Sequence, residues 1–322
     1  MKLGLDIMGG DFAPRCTVEG AVSALKEIGA GNRIVLLGPE DLIKAELRRH
    51  DVSSDRFDIV NCSDCIHMEE KPLKALAEKP NSGIAAGFRL LSQGELDAFV
   101  SAGNSGAVLA GSVTNLKCIP GVLRPCTCTV VPQEEDGAYS LLLDIGTTPD
   151  AKPETMVQFA IIGSLYSRYV LGCASPRVAL MNVGTEDGKG NLQCQSVFPL
   201  LKACSHINFV GNMEPRQLFK NHAEVFVTDG FVGNIILKEI ETFYRLLQKR
   251  GISDPLFDRL NYEIYGGSPI LGVNAPVILG HGISSPLAVK NMLLQAERMC
   301  RQGLIEALRR LFASYSQEAG DA

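Results

Sequence analysis

Short apolar runs ending in glycine beside a polar residue, each followed by helical periodicity, recur along this chain and restrict its fold more than any other feature. KLGLDIM (2–8) reads as a strand and PRCTVEGAVSALKEIG (14–29) as a helix. In that helix Val18, Val22 and Leu25 share one face, and Pro14 is placed to open the first turn. RIVLLG (33–38) is a second strand, EDLIKAELRRH (40–50) a second helix and FDIVNC (57–62) a third strand. LDAFVSAG (96–103), YSLLLDIG (139–146), RVALMNVG (177–184), NFVGN (208–212), EVFVTDG (224–230) and APVILGHG (275–282) continue the series. This alternation predicts a layered α/β/α protein with a mostly parallel sheet. The stretch 286–312 places Val289, Met292, Leu293, Ala296, Met299, Leu304, Leu308 and Leu311 at helical spacing, so one long amphipathic helix with a packing or dimer face is expected. Residues 1–313 are expected to form one α/β catalytic unit with a smaller protruding lobe, and 314–322 a flexible tail.

Composition removes several classes. A net charge of −5 over 322 residues argues against nucleic-acid binding by bulk electrostatics. No apolar run reaches the about 18 residues that a membrane-spanning helix needs. MKLGLDIMGG has neither the basic region nor the long apolar stretch of a secretory signal, so a cytoplasmic protein is expected. The ten cysteines are scattered, and the two close pairs, Cys62/Cys65 and Cys126/Cys128, differ in spacing. Reduced, buried thiols are the expectation, and no metal site.

The glycine-rich strand ends match no standard nucleotide motif. G-x-x-x-x-G-K-[ST] is absent, and no G-x-G-x-x-G opens a helix after the first strand. GNSGA (103–107) has Ala107 where a nucleophile elbow needs its second glycine, which disfavours a Ser-His-Asp hydrolase. Ser101 and Ser105, each taken alone, read as helix-cap residues. Anion binding fits the loops better. NVGTEDGKGN (182–191) sets Lys189 between Gly188 and Gly190, DIGTTPDAKPE carries Asp144 and Lys152, and TDGFVGN carries Asp229 and Asn234. His281, between glycines in GHGISS, is either a structural hydrogen-bonder or a base.

LDIMGGDFAP, DAFVSAGNSGA, LLLDIG, AKPETMVQFA, NVGTEDGKGN, TDGFVGNIILK and LGVNAPVILGHGISS, in this order, resemble the PlsX family of acyl-[acyl carrier protein]:phosphate acyltransferases. The resemblance runs from Lys2 to about residue 312. It implies an isopropylmalate-dehydrogenase-like fold, a homodimer, a site in a cleft and no cofactor. The implied reaction is attack of inorganic phosphate on the thioester of a long-chain acyl carrier protein, giving an acyl phosphate for glycerolipid synthesis. Lys189, with the N–H groups of Gly188 and Gly190, would hold phosphate. Ser101, Asn104 and Ser105 would donate to phosphate or to the thioester oxygen. Asp6, Asp11 and Asp229 would orient those donors or tune Lys152, and His281 would protonate the leaving thiolate or position the phosphopantetheine. Gly9 and Gly10 would allow close backbone approach, with Asn234 and Asn274 as further substrate contacts.

The same resemblance implies a transient contact with the membrane, at its inner face, or with a membrane acyltransferase. In many members a long apolar hairpin follows the NIILK motif. Here only 23 residues, 242–264, separate NIILKEIE from YGGSPILGV, and they include Arg245, Lys249, Arg250, Asp254, Asp258 and Arg259. Residues 235–313 carry ten basic against seven acidic side chains, a mild excess that suits an acidic carrier protein. Three other readings stay open: a phosphate acetyl- or butyryltransferase using coenzyme A thioesters, a decarboxylating dehydrogenase of the isocitrate type, and a scaffold for lipid-synthesis enzymes.

Overall fold

Eleven strands alternate with helices in the computed structural model, which describes residues 1–135 and 137–320, the last five of them as backbone only. In chain order the strands are β1 Lys2–Asp6, β2 Arg33–Gly38, β3 Asp58–Asn61, β4 Ala98–Ser101, β5 Cys126–Pro132, β6 Tyr139–Leu143, β7 Arg177–Met181, β8 Asn208–Met213, β9 Val225–Val227, β10 Ser268–Leu271 and β11 Val277–Leu279. The chain divides into two compact units. One comprises Met1–Lys117 with Glu263–Arg301, the other Cys118–Tyr262 with Gln302–Ala322.

In the first unit the strand order is β3-β2-β1-β4-β11-β10. All neighbours are parallel except β10, which runs antiparallel to β11. Leu5 pairs with Leu36 on one side and Val100 on the other, so the ends of β1 and β4 lie level. Every residue of β4 is buried, as expected of a parallel strand covered on both faces. Phe99 from β4 meets Phe88 from the helix Gly83–Ser92 edge to face at 5.1 Å. That approach requires Gly87, because a Cβ there would lie 2.2 Å from the Phe99 ring.

The second unit has the order β5-β6-β9-β7-β8, parallel except for β5 against β6. β9 is buried throughout. Leu142, Ala179 and Phe226 from three adjacent strands join Ile145, Met181 and Leu237 in one apolar cluster. The helix Pro153–Tyr169 is buried along most of its length, and Gln158 within it is satisfied by donating to Gly121 O and accepting from Leu123 N–H.

Two strands, β5 and β10, fall outside the alternating series read from sequence. Each opens an antiparallel pair and leads into its partner strand rather than into a helix, so the strand-then-helix alternation does not mark them. The single helix expected over 286–312 is two, Pro286–Arg301 and Leu304–Gly320, separated at Gly303 with φ +64°. The tail expected to be flexible from 314 is helical as far as Gly320, and 321 and 322 lie outside the described residues. Among the described residues no helix is long and apolar enough to cross a membrane.

Candidate active site

In the first unit, the site is built on a buried carboxylate. Asp6 closes β1, and its Oδ2 accepts from Ser101 Oγ at the level end of β4, 2.8 Å away. Oδ1 accepts from Met8 N–H at 3.3 Å, and Ser101 Oγ itself accepts from Gly103 N–H at 3.0 Å. Burial drives the Asp6 carboxyl up to about 6, against the hydrogen bonds from Ser101 and Met8 that favour its charge. The carboxylate packs against bare backbone. A Cβ on Gly83 would lie 2.3 Å from its Oδ1, and one on Gly9 2.8 Å from its Oδ2.

The MGGDFAP loop is fastened to the GHGISS loop through backbone. Asp11 N–H donates to Gly282 O at 2.7 Å, while Gly10, at φ +102°, faces the same carbonyl. Ser284 N–H donates to His281 O at 2.9 Å and keeps that loop turned. Asn104 caps the helix Ser105–Gly111 by accepting from Ala107 N–H at 2.9 Å. Its amide nitrogen donates to the carbonyls of His67, Met68 and Glu70, so the side chain ties two loops together. Ser105, beside it, is exposed. Asn274 donates instead to Leu116 O and Lys117 O, at a turn where Lys117 has φ +61°.

The second unit holds a matching carboxylate knot at Asp144, just past β6. Oδ1 accepts from the Thr127 N–H and hydroxyl, at 3.0 and 3.1 Å. Oδ2 accepts from the N–H groups of Thr147 and Thr148, at 3.1 and 2.6 Å. Burial raises the Asp144 carboxyl, and these hydrogen bonds oppose the rise. Gly233 lies so close that a Cβ would sit 1.8 Å from Asp144 O. Asp144 was legible only as a polar residue at a strand end. Its role as an anchor depends on Thr127, which belongs to the strand that sequence reasoning missed.

Beyond β7, Asn182 folds the NVGTEDGKGN loop back by donating to Lys189 O at 3.1 Å and accepting from Val183 N–H. Gly190, at φ +96°, admits the Asn182 amide where a Cβ would lie 2.3 Å from Oδ1, whereas Gly188 faces open space. Lys189 is half exposed, with Nζ 3.4 Å from Glu186. Past β9, Asp229 caps the helix Gly230–Lys249 by accepting from Val232 N–H at 2.7 Å, and Asn234 donates to Ile145 O at 3.0 Å. Lys152 is exposed and stands at the cap position of Pro153–Tyr169, with no side-chain cap bond.

Three helices begin around one open cavity of about 490 Å³ in this unit. Ala151 and Pro153 bring the start of Pro153–Tyr169, Asn191 and Gln193 the start of Leu192–Ala203, and Asp229 and Phe231 the start of Gly230–Lys249. First-turn N–H groups lack partners within their helices, and each helix start carries about half a positive charge. Three such ends around one cavity favour an anion, opposed by the Asp150 and Asp229 carboxylates that share the lining. Val232 N–H and Cys194 N–H are already taken by the Asp229 and Asn191 caps, so the remaining first-turn N–H groups are the donors. Gln193 Nε2 donates to Ala151 O and ties two of the starts together. Gln193, Asn191 and Ser196 were not among the residues singled out from sequence, although the Asn-x-x-Cys start of that helix carries an Asn cap signal. Among the described residues no group of three or more His, Cys, Asp or Glu is placed to hold a metal ion.

The sequence matches the family model described as "Fatty acid synthesis protein" over residues 1–307. It is 36% identical over 337 residues to a protein of Clostridioides difficile named phosphate acyltransferase, covering 99% of this chain and 98% of that one. Among solved structures it resembles a phosphotransacetylase from Streptococcus pyogenes, with TM-score 0.67, 14% identity and 94% of each chain covered. It also resembles 4-hydroxythreonine-4-phosphate dehydrogenase from Klebsiella pneumoniae, with TM-score 0.55, 13% identity, and coverage of 92% of this chain and 99% of that one. At these identities the two structures speak for the fold alone, the layered dehydrogenase-like α/β arrangement.

Proposed function

The chain belongs to the PlsX family of fatty acid synthesis proteins, and on that premise we propose that it transfers a long-chain fatty acyl group from the thioester of acyl carrier protein to inorganic phosphate. The product is an acyl phosphate, the activated acyl donor for glycerolipid synthesis. The observation that carries the phosphate assignment is the cavity at three helix starts in the second unit.

A phosphate oxygen attacks the thioester carbonyl carbon, the carbon–sulfur bond breaks, and the thiolate leaves and takes up a proton. Phosphate is already a competent nucleophile near neutral pH, so transfer proceeds directly, without an acyl-enzyme. Burial, reinforced by the charge of Asp229, raises the Cys194 thiol and works against a thiolate nucleophile beside that residue. Catalysis then rests on positioning and on fixed dipoles aimed at developing negative charge.

Lys152, beside the cavity lining, and Lys189, on the folded-back loop, are the proposed phosphate cations, with the N–H groups of Gly188 and Gly190. Asp229 and Asn234 hold the start of their helix in place. On the first unit, Asp6 acts through Ser101 and the Gly103 backbone, and Asn104 acts as a loop clamp. Both are positioning residues. Ser105 is the exposed hydroxyl donor and His281 the candidate proton donor to the thiolate. Gly9, Gly10 and Asp11 set the loop that carries the approach, and Asn274 holds the 116–117 turn. A homodimer, and a transient contact with the membrane or a membrane acyltransferase, belong to the same proposal.

The test is steady-state turnover with palmitoyl carrier protein and phosphate. Lys152→Ala and Lys189→Ala are expected to raise KM for phosphate about tenfold or more, from loss of a charge-assisted contact. An acyl-enzyme trapped in the absence of phosphate and seen by intact mass would sink direct transfer. Preferential consumption of acetyl-coenzyme A would move the protein to the short-chain transferases.

A further inference from the structure

We propose that an apolar groove along the helix Gly230–Lys249 is the binding site for the hydrocarbon tail of the acyl substrate. This rests on the proposed acyl transfer and specifies where the chain lies. The groove has a volume of about 460 Å³ and lies within the second unit. One wall is the helix itself, through Ile235, Ile236, Ile240, Phe243 and Leu247. The facing walls are Leu218 and Phe219 from the turn after β8, and Leu256 and Leu260 from the segment after the helix. Glu239 is the one polar residue among those lining it.

Three observations converge on an alkyl chain rather than a polar ligand. First, a pocket with Glu239 as its single polar side chain among the described residues offers a polar molecule almost nothing to orient it, and burying one there is unfavourable. Second, the volume is right. At about 30 Å³ per carbon-sized group, the share of one water in the liquid, it holds about fifteen such groups. Third, the groove begins one helical turn from the anion cavity. Phe231 lines the anion cavity and Ile235 lines the groove, one turn further along the same helix face. The two are therefore roughly 6 Å apart along the axis, and the groove follows the helix for roughly 18 Å to Leu247. A carbonyl at the helix start and a tail laid along the helix is the arrangement a long-chain thioester needs.

The groove is open at its edge, with Ile235 48% and Phe243 60% exposed. Apolar side chains left at this exposure are stabilised by covering them with an alkyl chain, and each methylene buried strengthens binding about fourfold.

The experiment compares palmitoyl and butyryl thioesters with phosphate in the full-length protein and in two variants. Ile236→Trp fills the groove, and Ile235→Asp places a charge at its half-exposed edge, where folding tolerates it. The proposal expects kcat/KM for palmitoyl to fall at least about tenfold further than for butyryl in both variants. Displacement of cis-parinaric acid by palmitate is expected to weaken in parallel. If wild type transfers palmitoyl while both variants keep its chain-length profile, the groove is not the acyl site. The groove is equally excluded if the variants alter only the oligomeric state, which would make it a protein contact. If wild type turns over no thioester, the acyltransferase reading fails, and the binding measurement alone decides the groove. Tight cis-parinaric acid binding lost in Ile235→Asp upholds it, and binding absent or unchanged overturns it.

Discussion

At the residue scale, two buried carboxylates carry different weights. The Asp6 carboxyl is held near 6, above its ordinary 3.8, so the folded state binds a proton that the unfolded state releases. Between these values the folded state binds more protons, and its contribution to stability is present at low pH and lost as pH rises through about 6. The full difference is about 3 kcal/mol. Asp6→Asn is therefore expected to gain stability relative to wild type as pH is raised from about 4 to about 7, read by urea melts at each pH. A constant difference between the two would contradict the buried, raised carboxyl. Asp144 is bonded by several backbone N–H groups and one hydroxyl. Asp144→Ala leaves those donors buried without an acceptor and is expected to destabilise the second unit by about 3 to 5 kcal/mol, measured by denaturant unfolding.

At the element scale, the strand-end turns are set by close approach more than by conformation. Gly233→Ala would drive a Cβ into the Asp144 carbonyl and is expected to cost more than about 3 kcal/mol, whereas Gly188→Ala, facing open space, should change stability by less than about 0.5 kcal/mol. Thermal melts of the two variants distinguish a packed turn from an open loop. Several parallel strands were legible because they end beside a capping residue that opens a helix, as with Asp229 before Gly230–Lys249 and Asn104 before Ser105–Gly111. β5 and β10 were not, because an antiparallel partner needs no such turn. The break at Gly303 was hidden because apolar residues recur on both sides of it, Met299 before and Leu304, Leu308 and Leu311 after.

The candidate site was legible to a similar depth. Residue types pointed to Asp6, Ser101 and Asn104, but sequence could not reveal that Asn104 gives its amide to three carbonyls or that Ser101 is turned toward Asp6. The convergence of three helix starts is a tertiary fact. Nothing in the local sequence of Asn191, Gln193 and Ser196 places them beside Asp229.

At the scale of the whole molecule, a net charge of −5 coexists with a basic excess over residues 235–313. If this stretch docks the acidic carrier protein, apparent affinity for the carrier should fall severalfold as ionic strength rises from about 0.05 to about 0.3 M, with turnover at saturation little changed. A salt-independent KM for the carrier would remove that stretch from docking. The reaction itself is acyl transfer to phosphate. Its most direct measurement is acyl phosphate formed from palmitoyl carrier protein, followed against phosphate concentration in wild type and Lys152→Ala. Direct transfer predicts product that saturates with phosphate and a KM for phosphate raised about tenfold or more in the variant, with no acyl-enzyme when phosphate is absent. Product that does not depend on phosphate, or an equal KM for phosphate in both proteins, would contradict it.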